Sequence, residues 1–215
     1  MLAAAGAPHG TLVTAAEQTA GRGRQGRRWS APAGSAVLMS LLLRWAPGAP
    51  PPALLPLAAA VAVCEVAGEQ ARIKWPNDIV LPSGRALRKL AGVLIESRPQ
   101  QAWAVLGIGL NVAVDLRALP PELRDTAATM GRPPEQVEPT LRLLLATLER
   151  RLGEPPETTL AAWRERDALC GRDVVWAAGR GRAEGIDGAG RLVVALGGGG
   201  RSALQAGEVH LLDVS

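Results

Sequence analysis

Apolar positions along this chain follow two periods. Up to residue 112 they come as runs of strand length, with one longer Ala-rich run after residue 54; between 140 and 169 they recur every three or four residues; beyond 170 they return to short runs cut by glycine. Residues 11–16 read as a short strand, and the apolar run 36–43, interrupted only by Ser40, as a strand buried on both faces. Residues 21–34, rich in glycine with Pro32, form a loop, and 46–53 a Pro/Gly/Ala connector. The Ala-rich stretch 56–70 has helix length, with Gly68 near its end. Residues 72–75 and 79–81 flank a break at Pro76-Asn77, and 82–84 is a turn. Strands over 90–97 and 102–112, joined at 99–101, predict a hairpin. Residues 113–139 are irregular, with a short helix near 121–124. Apolar residues at 141, 144, 145, 148 and 152 then predict an amphipathic helix over 140–152. A further helix is expected over 158–169, with Thr158 or Thr159 as its cap.

The pattern changes near 168–172. Five short β-like runs follow, at 173–177, 182–186, 191–196, 202–205 and 208–212, separated by Gly-rich turns. Five strands in so short a stretch predict a small barrel, too small to stand alone, that packs on the larger unit. The expected division is 1–169 and 170–215.

Composition narrows the classes. An apolar share of 47% with a net charge of +4 excludes a disordered chain. No apolar stretch approaches the ~20 residues that span a bilayer. Two cysteines, Cys64 and Cys170, exclude a disulfide scaffold and fit a reducing cytoplasm. The basic excess is local: residues 20–38 and 72–98 each carry a net +4, and the rest of the chain is acidic. Positive charge concentrated in glycine-rich loops suits a bound polyanion, either nucleotide phosphates or a nucleic-acid backbone. Only two residues are lysine, Lys74 and Lys89, and Trp is the only aromatic type.

Four motifs carry chemistry. Gly21-Arg22-Gly23-Arg24-Gln25-Gly26 matches G-x-G-x-x-G, but Pro32 follows where a helix should open and no acid appears before Glu65, so the dinucleotide reading fails. Alternating Gly and Arg instead bring backbone amides and guanidinium forks to an anion, with Trp29 behind them to stack on a base. Lys74-Trp75-Pro76-Asn77-Asp78 places two hydrogen-bonding side chains at a tight turn. Lys89-Leu90-Ala91-Gly92-Val93-Leu94-Ile95-Glu96 puts a lysine at the mouth of an apolar strand, with Gly92 allowing close approach. A lysine so placed is commonly a snorkelling surface residue. Gly107-Ile108-Gly109-Leu110-Asn111 leaves room on one strand face for a flat group, and Asn111 can read an adenine edge or satisfy a loop.

In this order the four motifs resemble those of the biotin protein ligases: GRGRxGRxW, KWPND, KxxGxLxE and GxGxN. The tail, with Gly185-Ile186-Asp187 and Gly207-Glu208-Val209, and the segment 121–131 are similar too, so the resemblance covers nearly the whole chain. It implies an α+β fold: a mixed sheet flanked by helices, class II synthetase-like, with a small SH3-like C-terminal barrel. It implies two steps. ATP and biotin, with Mg²⁺, give biotinyl-5′-AMP and pyrophosphate; a lysine of a biotin carboxyl carrier protein then takes the biotin and releases AMP. By this resemblance Gln18, Gly21, Arg22, Lys89 and Gly92 face biotin, and Arg24, Arg27, Trp29, Asn77 and Asn111 face the nucleotide. Lys89, Arg22 and Arg24 carry the charge stabilisation, and Asp78 orients or deprotonates the acceptor lysine, or holds the turn. No protein metal ligands are implied.

The family also has a Ser-Thr-Asn segment about one strand and one helix before Gln18. This chain begins Met1-Leu2-Ala3, so the expectation is either a start placed too late or an incomplete biotin pocket. No DNA-binding domain, and hence no DNA partner, is expected, nor a membrane partner. A homodimer is compatible with the strand over 103–112 as a candidate for pairing between copies. Two alternatives stay open: a Gly/Arg RNA-binding module with Trp stacking, and a lipoate or octanoate ligase of the same fold.

Overall fold

The computed structural model describes residues 2–26, 28–47, 54–205 and 207–212. After β1 (Leu12–Thr14) the Gly/Arg segment forms a small ribbon, β2 (Gly21–Arg22) and β3 (Arg28–Trp29), joined by a 3-10 turn at Arg24–Gly26. Within the segment 21–34, expected as a plain loop, residues 21–22 and 28–29 thus pair as strands. Next come β4 (Ala36–Arg44), α1 (Leu55–Ala67), β5 (Arg72–Lys74), β6 (Asp78–Ser83), β7 (Ala86–Arg98) and β8 (Trp103–Asn111). The main sheet is antiparallel, in the order β1-β4-β8-β7-β6-β5. The β7–β8 hairpin matches the sequence reading. However, β8 has β4 on one side and β7 on the other, so it offers no free backbone edge to a second copy. Pairing between copies through 103–112 is therefore corrected.

Helices cover one face of the sheet. Every residue of α1 from Leu57 to Cys64 is buried, because small alanines let it lie close to the sheet and to its helical neighbours. The short α2 (Pro121–Arg124) is followed by α3 (Val137–Leu152), whose Thr140, Leu144 and Leu148 are buried at four-residue spacing. Glu65 of α1 bonds Arg150 and Arg151 of α3. Burial pulls the Glu65 carboxyl upward, but the bonds from Arg151 and Arg150 outweigh it and hold it below its ordinary range.

The last helix, α4 (Pro156–Arg164), departs from expectation at both ends. Pro155 stands at its N-cap and Pro156 presets the first turn, so neither Thr158 nor Thr159 caps it. It stops at Arg164 because 166–168 is used as an extra strand. The Ile73 amide donates to the Arg166 carbonyl at 2.7 Å, and the Ala168 amide to the Ile73 carbonyl at 2.9 Å, which closes the β5 edge.

Beyond lie β9 (Asp173–Trp176), β10 (Gly179–Ile186), β11 (Leu192–Leu196), β12 (Arg201–Leu204) and β13 (His210–Leu211). All five expected runs are strands of one antiparallel sheet, β12-β11-β10-β9-β13, compatible with an SH3-like unit. Its buried Val174, Ala183, Ile186, Leu192 and Val194 belong to the same apolar cluster as α1 and the main sheet. This shared core is how so short a sheet is held. Among the described residues no helix is long and apolar enough to cross a membrane.

Asp167 lies at the junction. Its Oδ1 accepts from the amides of Leu169 (2.8 Å) and Cys170 (3.3 Å), while Oδ2 is buried without a partner. Burial raises its pKa against those two bonds. The folded chain thus holds this proton more tightly than the unfolded one. The stabilising contribution is full below the unfolded value and is lost as pH rises through the folded one. Asp167→Asn keeps an oxygen for the amides and removes the charge. Wild type is expected to lose stability relative to this variant between about pH 4, near the ordinary carboxylate value, and neutral pH. Urea unfolding at both pH values measures it; a constant difference would contradict the assignment.

Candidate active site

The register of the sheet builds the floor of a cavity. Gly92 of β7 lies opposite Asp78 of β6 on one side and Gly109 of β8 on the other, and Gly107 lies opposite Leu94 and Ser40. Opposed residues share a sheet face, so the three glycines form a bare strip with Asp78 at its end. A cavity of about 340 Å³ stands over this strip.

Trp29 covers one end. A Cβ on Gly109 would come within 2.5 Å of the indole Cε2, so only glycine lets this ring reach the strand. The indole Nε1 is buried there without a partner. Gly21 is equally tight, backed by the Trp29 carbonyl and by the Gln18 side chain, whose Oε1 lies 2.6 Å from an ideal Cβ.

Lys89 reaches the same face through a β-bulge. Across β6 and β7 the register runs Asp78↔Gly92, Ile79↔Ala91, then Val80↔Lys89, which skips Leu90. Strict alternation from Gly92 would put Leu90 in the cavity and Lys89 in the core. The extra residue reverses this, burying Leu90 fully and turning Lys89 outward. The Lys89 backbone then leaves β8 and bonds 126–128 instead, its amide to the Thr126 carbonyl and its carbonyl to the Ala128 amide. Lys89 Nζ lies 2.7 Å from Asp78 Oδ1 and 5.7 Å from the centre of the Trp29 ring. The pair is only partly buried, so it adds little to stability; its effect is to place opposite charges beside the glycine strip.

The turn 74–78 is fixed from several sides. Asn77 Nδ2 donates to the Val93 carbonyl at 2.8 Å, and Asn77 Oδ1 accepts from Arg24 at 3.2 Å. The peptide between Trp75 and Pro76 is cis. Arg22 is largely exposed and lies 3.7 Å from Glu96 at the cavity rim.

Of the residues singled out by sequence, Gln18, Arg22, Arg24, Trp29, Asn77, Asp78, Lys89 and Gly92 all line this one cavity, and Gly21 stands directly behind it. Arg27 lies outside the described residues. Asn111 does not line the cavity: it is buried, and its Nδ2 donates to the Ala128 carbonyl at 2.9 Å, satisfying a loop. Sequence reasoning missed Ser40 on the floor and the segment Gly207–His210, where Glu208 and His210 close the cavity from the C-terminal sheet. The Gly207-Glu208-Val209 string was the available signal, but nothing in its spacing says that it faces this cavity.

Residues 2–112 match the model of the biotin/lipoate A/B protein ligase family. The chain belongs to that family. This family member is 35% identical over 218 residues to the biotin–[acetyl-CoA-carboxylase] ligase of Paracoccus denitrificans, an alignment covering 92% of this chain and 88% of that protein. It is 42% identical over 135 residues to the bifunctional ligase/repressor BirA of Bacillus subtilis, covering 59% of this chain but only 40% of that longer protein. In three dimensions it resembles the biotin protein ligase from Aquifex aeolicus in complex with biotin and ATP, with a TM-score of 0.80 and 26% identity over 98% of this chain and 92% of that one. The α+β architecture expected from sequence is the family's own.

The contact between Gly109 and Trp29 can be tested without a ligand. Gly109→Ala is expected to cost about 1–3 kcal/mol by overpacking, and close to nothing in a Trp29→Ala background where the clash is gone. Urea unfolding of the four chains measures both; equal costs in the two backgrounds would contradict the packing.

Proposed function

We propose that this chain activates biotin with ATP to biotinyl-5′-AMP and transfers it to a specific lysine of a biotin carboxyl carrier protein. The observation that carries this reading is the Lys89–Asp78 pair, 2.7 Å apart beside a glycine strip under Trp29. The near full-length likeness to the Paracoccus ligase supports the choice of acid. Residues 1–169 serve as the catalytic unit, with 170–215 appended.

The chemistry follows from charge. In the first step a carboxylate oxygen of biotin attacks the α-phosphorus of ATP, an O–P bond forms, and pyrophosphate leaves. Two anions must approach, and Lys89, Arg24 and Arg22 supply the opposing charge at the cavity. Lys89 exchanges part of its bond with Asp78 for the developing carboxyl–phosphate linkage. Gln18, Gly21, Arg22, Lys89 and Gly92 hold the biotin side. Arg24, Arg27, Trp29 and Asn77 hold the nucleotide side, and Asn111 braces the segment around Ala128. In the second step the acceptor lysine loses a proton, and its amine attacks the carbonyl of the mixed anhydride. An amide forms as the bond to phosphate breaks and AMP leaves. Asp78 is the carboxylate placed to orient that ammonium and take its proton.

Magnesium would enter with the nucleotide and would offset phosphate charge as the two anions approach. The use of ATP and the two free cysteines fit the cytoplasm. The match to the biotin/lipoate ligase family and the near full-length likeness to the Paracoccus ligase support this reading over the RNA-binding alternative.

The family includes lipoate ligases, so the acid is what an assay must decide. With ATP and Mg²⁺, label from biotin is expected to enter a carrier protein at one lysine, and excess lipoate or octanoate should not suppress it. Suppression by either acid, or incorporation of octanoate in place of biotin, would overturn the assignment.

A further inference from the structure

Trp75 of the 74–78 turn lines the cavity, and the chemistry above gives it no role. It is 3% exposed, and its indole Nε1 donates at 3.1 Å to the carbonyl of Gly190, a residue 115 positions later in the turn between β10 and β11. That turn is held rigidly. Asp187 Oδ1 accepts from the amides of Ala189 (2.9 Å) and Arg191 (3.0 Å), and its Oδ2 from Arg191 Nε at 2.7 Å. The Gly190 amide donates to the Asp187 carbonyl, and the Asp187 amide to the Arg191 carbonyl. Gly190 has φ +77° and sits against α1, where an added Cβ would come 2.7 Å from Leu57 Cδ1. The carbonyl that receives Trp75 is therefore fixed by its own turn and by the helix.

On the other side Trp75 leads directly into the site. Pro76 follows, then Asn77, which bridges the Val93 carbonyl and Arg24, then Asp78, which pairs with Lys89. An unanchored indole would leave this short stretch held only from the sheet side. A shift of about 1 Å in such groups costs up to ~100-fold in rate.

We infer that the turn 187–191 of the C-terminal sheet is a positioning element for the adenylating site, acting through the bond from Trp75 to Gly190. This inference rests on the ligase reading. Trp75, Asp187 and Arg191 are positioning residues: they set where Asn77 and Asp78 stand, and with them Arg24 and Lys89. The C-terminal sheet thus serves the reaction at two places, by lining the cavity with Glu208 and His210 and by anchoring the turn.

The test is a double-mutant cycle in the full chain, read by biotin-dependent exchange of labelled pyrophosphate into ATP. Trp75→Phe keeps a smaller aromatic ring and removes the N–H donor; Asp187→Ala dismantles the distant turn. Each is expected to lower kcat about tenfold, equivalent to 1.4 kcal/mol, with the KM for biotin within about twofold of wild type. The double variant should be no slower than the worse single one, because both break the same link. Asp187→Asn, which keeps the oxygen for the two amides, should restore most of the rate. Unchanged kcat in the single variants, or fold-changes that multiply in the double, would overturn the positioning role. A fall in melting temperature with normal kcat for the folded fraction would overturn it as well. Wild type without biotin-dependent exchange would instead remove the ligase reading, and this inference with it.

Discussion

The site depends on one irregularity, the bulge at Leu90. A β-strand has a period of two, so a lysine three residues before Gly92 belongs on the opposite face, under the helices. A lysine there would be buried without a partner, and its charge would cost several kcal/mol. Skipping Leu90 in the register with β6 sends that leucine into the core and brings Lys89 over the strip, 2.7 Å from Asp78. The segment 126–128 compensates the backbone that β8 no longer pairs. The irregular stretch after β8 is therefore part of the site's support, although its own side chains carry none of the chemistry.

Around this pair the molecule alternates bare and crowded surface. Gly107 leaves the floor bare, Gly92 lets the Lys89 side chain lie against the strand, and Trp29 closes one end because Gly109 has no side chain to refuse it. Cations stand at the rim and at one end, Arg22 beside Glu96 and Arg24 on Asn77, each with a polar partner in the ligand-free chain. In the proposed reaction an incoming carboxylate or phosphate replaces these partners, and Arg22 meets it from a largely exposed position at the rim.

Much of this was legible in sequence where a single local rule decides. Apolar runs bounded by turns give β4, the β7–β8 hairpin and the five C-terminal strands, and the 3.6-residue period gives α3. The charge split and the four motifs pointed to residues that the fold then gathered into one cavity. Features set by a distant part of the chain were not legible. The helix over 158–169 was expected to continue, but 166–168 is drawn off to cover the β5 edge, and propensity does not register that demand. The sequence leaves Asn111 either a base edge or a loop to serve, and only the fold shows that the loop carrying Ala128 takes its amide. The bulge cannot be read from a string whose alternation gives the wrong face for Lys89. The contribution of Glu208 and His210 required knowing how the C-terminal sheet docks.

In the proposed reaction Lys89, turned outward by the bulge, neutralises the joining of carboxylate and α-phosphate. Biotin-dependent exchange of labelled pyrophosphate into ATP, compared between wild type and Lys89→Ala at matched melting temperature, tests it most directly. Exchange is expected in wild type, with a loss of at least about 100-fold in the variant, the scale for removing one preorganised charge donor. Exchange at the wild-type rate in a folded Lys89→Ala chain would contradict it.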